Sequence, residues 1–142
     1  MRSLILAAAA LSCLATVTYA ADPTAVPDLS GPYSFTNVEN CSNGSFAQST
    51  GTIIFNFAAR TFVQAGFRIS GTPPTETFLN SVTGTYAISY TSPVTSLSLS
   101  SGGTSTTYRI FYGASSSGIA EYATGIQLAP GPCSELLTLT RQ

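Results

Sequence analysis

The sequence predicts an all-β domain, an antiparallel barrel of about eight short strands with a β-sandwich as the alternative. Three observations lead there. Apolar and polar residues alternate with period two in segment after segment, no window presents a helical face, and Gly, Pro, Asn and Ser clusters punctuate the segments at turn spacing. A sheet of strands this short leaves exposed edges unless it closes on itself or is covered by a second sheet.

Along the chain, residues 1–20 read as an export signal. Arg2 supplies the leading charge, Leu4 to Leu14 is an apolar run broken only by Ser12 and Cys13, and Thr18 and Ala20 are the small residues before a cut. That run is shorter than the ~20 residues a membrane-crossing helix needs, and no later segment predicts a transmembrane span. Residues 21–30, with Pro23, Pro27, Asp22 and Asp28, form an unpatterned lead-in, and residues 31–142 are expected to make a single barrel domain.

The strands follow from the alternation. Tyr33 and Phe35 alternate with Ser34 and Thr36; Ile53, Phe55 and Phe57 with Ile54, Asn56 and Ala58; Val63, Ala65, Phe67 and Ile69 with Phe62, Gln64, Gly66 and Arg68. Further strands are expected at Tyr86–Tyr90, Leu97–Leu99, Tyr108–Tyr112, Ile119–Ile126 and Leu136–Thr140. Turns fall at Asn43-Gly44, Thr50-Gly51, Gly71-Thr72-Pro73-Pro74, Ser101-Gly102-Gly103, Ser115 to Gly118 and Pro130-Gly131-Pro132. Gly31-Pro32-Tyr33-Ser34-Phe35 and Gly84-Thr85-Tyr86-Ala87-Ile88 share the pattern Gly-x-Tyr-x-apolar, a faint internal echo.

Composition narrows the chemistry. Only 8% of residues are charged, and 36 of the 122 after residue 20 are Ser or Thr, so hydroxyls carry the solubility. The formal charge of −1 becomes −2 once Arg2 is removed, and no cationic stripe exists for nucleic acid. The sequence has no His and no Lys, which excludes an imidazole base, a Ser-His-Asp triad, His-containing zinc sites and a Schiff base. No phosphate loop or dinucleotide fingerprint is present, so neither metal nor cofactor is expected, and the enzyme question leans to no.

Loss of the signal removes Cys13 and leaves Cys41 and Cys133. In a secreted or periplasmic protein two such cysteines are expected to pair, the alternative being two buried free thiols. Cys41 falls in the turn after the first strand and Cys133 just before the last, so a bridge would join the two ends of the sheet and favours closure. Asn40 and Asn43 fit the N-glycosylation pattern, which matters only in a eukaryotic host.

Gly31-x-Tyr33-x-Phe35 followed by Cys41-Ser42-Asn43-Gly44-Ser45 resembles the start of small secreted bacterial proteins of uncharacterised function, which have a Gly-x-Tyr strand and then a Cys-x-Gly-Ser/Thr turn. This chain departs from that pattern by placing two residues between Cys41 and Gly44. The resemblance implies a small up-and-down barrel similar to lipocalins or allene-oxide-cyclase-like barrels, and it brings no catalytic residue with it.

The candidate ligand-binding residues are Tyr86, Tyr90, Tyr108 and Tyr112, from two Tyr-x-Ile-x-Tyr strands whose alternation turns the phenols to one face; the same stripe also reads as plain core, the commoner fate of aromatic residues on strands. Glu121, flanked by apolar residues, is a candidate to face inward and pair with Arg68 or Arg109, either as a structural ion pair at a barrel mouth or as a ligand handle; the alternative, the more usual one for an isolated charge on a strand, is a place on the outer face. Glu39, Glu76 and Glu135 adjoin turns or strand ends and read as solvated acids. The functional expectation is a non-catalytic barrel that binds an apolar or aromatic small molecule or associates with the cell envelope. The alternatives are a barrel cyclase or isomerase working through tyrosines and Glu121, and a structural surface protein that assembles through strand faces.

Overall fold

The computed structural model describes residues 26–71, 73–128 and 133–142; the segment expected to be an export signal, with its expected cleavage site, lies outside them. Eight strands form one closed antiparallel barrel in chain order: β1 (Gly31–Cys41), β2 (Phe46–Asn56), β3 (Thr61–Ser70), β4 (Thr75–Thr91), β5 (Val94–Ser101), β6 (Thr104–Ala114), β7 (Ala120–Gln127) and β8 (Cys133–Arg141). Closure comes from β1 pairing with β8, which leaves no sheet edge. The up-and-down connectivity suits short turns between neighbours, and Gly44, Gly71, Gly102 and Gly103 take the positive φ that those turns require.

Cys41 and Cys133 are joined in a disulfide across 92 residues. They are not in turns. Cys41 ends β1, Cys133 begins β8, and the two are register partners, so the staple sits on the seam that closes the barrel.

The strands tilt strongly. A line of register partners from Tyr90 through Thr95, Ile110, Gly125, Leu137, Asn37, Ser49 and Arg68 returns to β4 at Thr77, thirteen residues before its start. β4 is accordingly the longest strand at 17 residues: its first half pairs with β3 and its second with β5. The first half has no clean alternation in sequence because a bulge at Ser81, whose φ is 37°, adds a residue opposite Gln64–Gly66.

One end of the interior is packed with aromatic rings. Tyr33, Phe62 and Tyr86 surround Phe55, with ring centroids 5.8, 6.2 and 5.0 Å from it, so both tyrosines of the Gly-x-Tyr echo meet on one phenylalanine. The lead-in is part of this core: Leu29 is fully buried, and Asp28 bridges to Ile119. Arg60 lies over Phe57 and Tyr86, and Arg141 over Tyr33, so guanidinium planes cover the rings at this mouth.

Candidate functional site

The other end of the same interior is polar. On β1 the inward series Tyr33, Phe35, Asn37, Glu39, Cys41 passes from rings to an amide, a carboxylate and the disulfide. On β8 the matching series is Leu139, Leu137, Glu135, Cys133. Antiparallel register sets Glu39 opposite Glu135, two residues inside the disulfide.

Two networks hold these carboxylates. Arg68 on β3 donates from Nη2 to Glu39 Oε2 at 2.6 Å. Tyr108 on β6 donates its hydroxyl to Glu135 Oε2 at 2.6 Å, and Asn37 Nδ2 donates to the same oxygen at 2.9 Å. The layer therefore draws on β1, β3, β6 and β8, strands that only the closed barrel brings together. Its formal charge is −1, from two glutamates and one arginine.

Burial shapes the chemistry of the layer. Tyr108 is 3% exposed, and burial first, then its hydrogen bond to Glu135 and that carboxylate's charge, push the phenol far above its ordinary range. It is a fixed donor rather than a proton shuttle. Tyr33 and Tyr86 are also raised, chiefly by burial. Two acceptors in the layer are buried without a hydrogen-bond partner among the described residues, Asn37 Oδ1 and Gln127 Oε1. Gln127 is the register partner of Tyr108. The more exposed members of the layer are Arg68 and Glu39, whose side chains are 37% and 23% accessible.

A metal does not fit these atoms. Glu39, Cys41 and Cys133 bring one carboxylate oxygen and two sulfurs within 4.8 Å of one another, but both sulfurs are committed to the disulfide and offer no thiolate.

The residues singled out from sequence are divided by the fold. Tyr86 and Tyr108 are buried, while Tyr90 and Tyr112 are half-buried, and Tyr112 packs against the core. All four share the inward face that the alternation predicts, and Tyr86, Tyr108 and Tyr112 belong to one core, but they sit at different heights. Tyr86 joins the ring cluster on Phe55 and Tyr108 reaches Glu135, because strand tilt sets equivalent positions of β4 and β6 at different heights. Arg68 does enter an ion pair, but with Glu39 instead of Glu121.

Glu121 and Arg109 are exposed on the outer wall. Strict alternation from the inward Ala123 would turn Glu121 inside, but β7 bulges there: Tyr122 pairs with Gly113 and Ala120 with Ala114, so the extra residue rotates Glu121 out and Ala120 in. Glu39 and Glu135, read as solvated acids, are half-buried inward residues. A signal for them was present, since pairing Cys41 with Cys133 in an antiparallel ladder places Glu39 against Glu135 on the face that Phe35 and Leu139 also share.

Protein-family models, curated proteins and solved structures were each compared with the chain, and none matches it.

Proposed function

We propose that this chain is a secreted, non-catalytic binding barrel that takes a small molecule with an aromatic or apolar body and an N–H-bearing cationic head, the head entering at the disulfide end. The observation that carries this reading is the surplus of acceptors in the inner polar layer. Two carboxylates face one guanidinium, and the amide oxygens of Asn37 and Gln127 are buried with no donor among the described residues. Unpaired buried acceptors cost stability that a purely structural interior would avoid with apolar residues, and an ammonium or amidinium supplies what they lack. Rings and aliphatic side chains just inside, Phe35, Leu137 and Ile110, suit an apolar body.

Charge distribution agrees with a cation. Glu39, Glu135 and Glu76 lie toward the disulfide end with Arg68, whereas at the opposite mouth Arg60 and Arg141 are balanced by Asp28 and Glu121. Secretion is supported by the disulfide and by the apolar leader in the sequence. Among the described residues no helix is long and apolar enough to cross a membrane. The cyclase reading loses its acid–base residue, because Glu121 faces outward.

Calorimetric titration with three aromatic compounds of equal size, bearing an amine, a hydroxyl or a carboxylate, tests the proposal. The amine is expected to bind at least about tenfold more tightly than the others, and Glu135→Gln to weaken it by a similar factor. Equal affinity for all three, or preference for the carboxylate, would overturn it.

A further inference from the structure

The outer wall is as uneven as the interior. Across β4 to β6 it carries hydroxyls, Thr85, Ser89, Ser96, Ser98, Ser100 and Thr107, several bonded to one another, such as Ser98 with Thr107 and Ser100 with Ser105. Across β6 to β8 it is apolar: Phe111, Tyr122 and Ile126 are more than half exposed, and Leu128 and Leu136 more than two-fifths. Register makes this one continuous face, because Arg109, Ile126 and Leu136 form one line across the three strands and Phe111, Thr124 and Thr138 the next.

The face is stiffened as well as exposed. Tyr122 lies across Gly113 on the neighbouring strand, where a Cβ would collide with the ring, so its exposed ring is held flat against the sheet. Five large side chains, each about half exposed, present on the order of 500 Å² of apolar surface, the upper range for a patch on a monomer. With the intervening threonines and the flanking charges, the face approaches the roughly 800 Å² that each partner gives to a stable interface.

What it fits is indicated by its two charges. Arg109 stands at one end of the face, level with Ile126, and Glu121 at the other, beyond Tyr122; neither makes an ion pair among the described residues. They are separated along the strands by roughly 13–17 Å at strand rise. A two-fold axis running across the strands along the Phe111–Thr124–Thr138 line reverses strand direction in the second copy. Arg109 of each copy then stands over Glu121 of the other, with Ile126 over Tyr122.

We propose that the β6–β8 face is the interface of a symmetric homodimer, apolar at its centre and keyed by two reciprocal Arg109–Glu121 pairs. A surrounding bilayer fits less well: β2–β4 also exposes Ile54, Val63, Phe67 and Phe78, but hydrocarbon requires an apolar band around the whole barrel and the β4–β6 wall is hydroxylic. The polar layer inside is untouched by this contact, so the dimer stands independently of the binding proposal.

The test is sedimentation equilibrium of the mature oxidised protein over a wide concentration range, beside flotation with anionic and neutral phospholipid vesicles. Expected is a monomer–dimer equilibrium, with the chain absent from the vesicle fraction. Arg109→Glu and Glu121→Arg are each expected to raise the dimer Kd about tenfold or more, and the double variant to recover to within about threefold of the original. Ile126→Asp should give a monomer with an unchanged circular-dichroism spectrum. A monomer at all concentrations, partition into vesicles, or a double variant no better than either single one would overturn the proposal. Because both charged residues are exposed, the reversal series is readable even where Ile126→Asp fails to fold.

Discussion

At one end of the barrel Tyr33, Phe55, Phe62 and Tyr86 fill the interior edge to face and Leu29 is sealed into the same core. A few residues further along β1 and β8, the same inward positions hold Asn37, Glu39 and Glu135 beneath the Cys41–Cys133 bridge. The alternation is identical at both ends, but what maintains closure is not. The ring end is held by buried apolar area. The polar end buries groups whose desolvation opposes folding, and there a covalent bond fastens the seam. The apolar core and the inner polar groups thus occupy opposite ends of one β1–β8 ladder.

The largest expected effect probes that division. Reduction, or the pair Cys41→Ser and Cys133→Ser, releases a 92-residue loop, and the chain-entropy model gives a loss of about 4–5 kcal/mol, roughly 15 °C in melting temperature. A shift below about 3 °C would mean that the polar end closes without its staple. Truncating the ring end with Phe55→Ala should cost about 3–5 kcal/mol, since three aromatic partners lose their contact. Denaturant unfolding that showed under about 1 kcal/mol would deny that this end carries the core.

The phenols of the two ends differ in what their hydroxyls do. Tyr108→Phe removes a donor to the Glu135 carboxylate and should cost about 1.5–3 kcal/mol, whereas Tyr86→Phe, whose hydroxyl has the Arg60 guanidinium nearby but makes no well-formed hydrogen bond among the described residues, should stay within about 0.5 kcal/mol. Burial raises Tyr33, Tyr86 and Tyr108 above the ordinary value of 10.0. The unfolded chain then releases these protons at lower pH than the barrel does. Their contribution is complete below about pH 10 and is lost as pH climbs toward the folded values. Unfolding curves taken between about pH 8 and pH 11, with tyrosinate absorbance followed alongside, should show stability falling only above about pH 10. Constant stability across that range would contradict the burial of the phenols.

The smallest effect is expected at the Arg68–Glu39 pair. Arg68→Ala breaks an ion pair whose side chains are 37% and 23% accessible, and solvent screening limits the loss to about 0.5–1 kcal/mol. High salt should erase most of the difference from the unaltered protein. A loss above about 3 kcal/mol would place Arg68 with the structural ring end instead of with the polar layer.

The strand alternation, most of the turn residues and the two cysteines carried the all-β class, the number of strands and the disulfide, because each is a local or pairwise property; Thr50-Gly51, read as a turn, instead lies within β2, where its flanking strands β1 and β3 pair on both sides. The tertiary structure alone decided which polar residues meet. Whether Glu121 turns in or out depends on one extra residue in β7, and a single bulge reverses every alternation argument made across it. The meeting of Tyr108 with Glu135 and of Arg68 with Glu39 depends on barrel shear, a global sum of strand offsets that no short window of sequence contains.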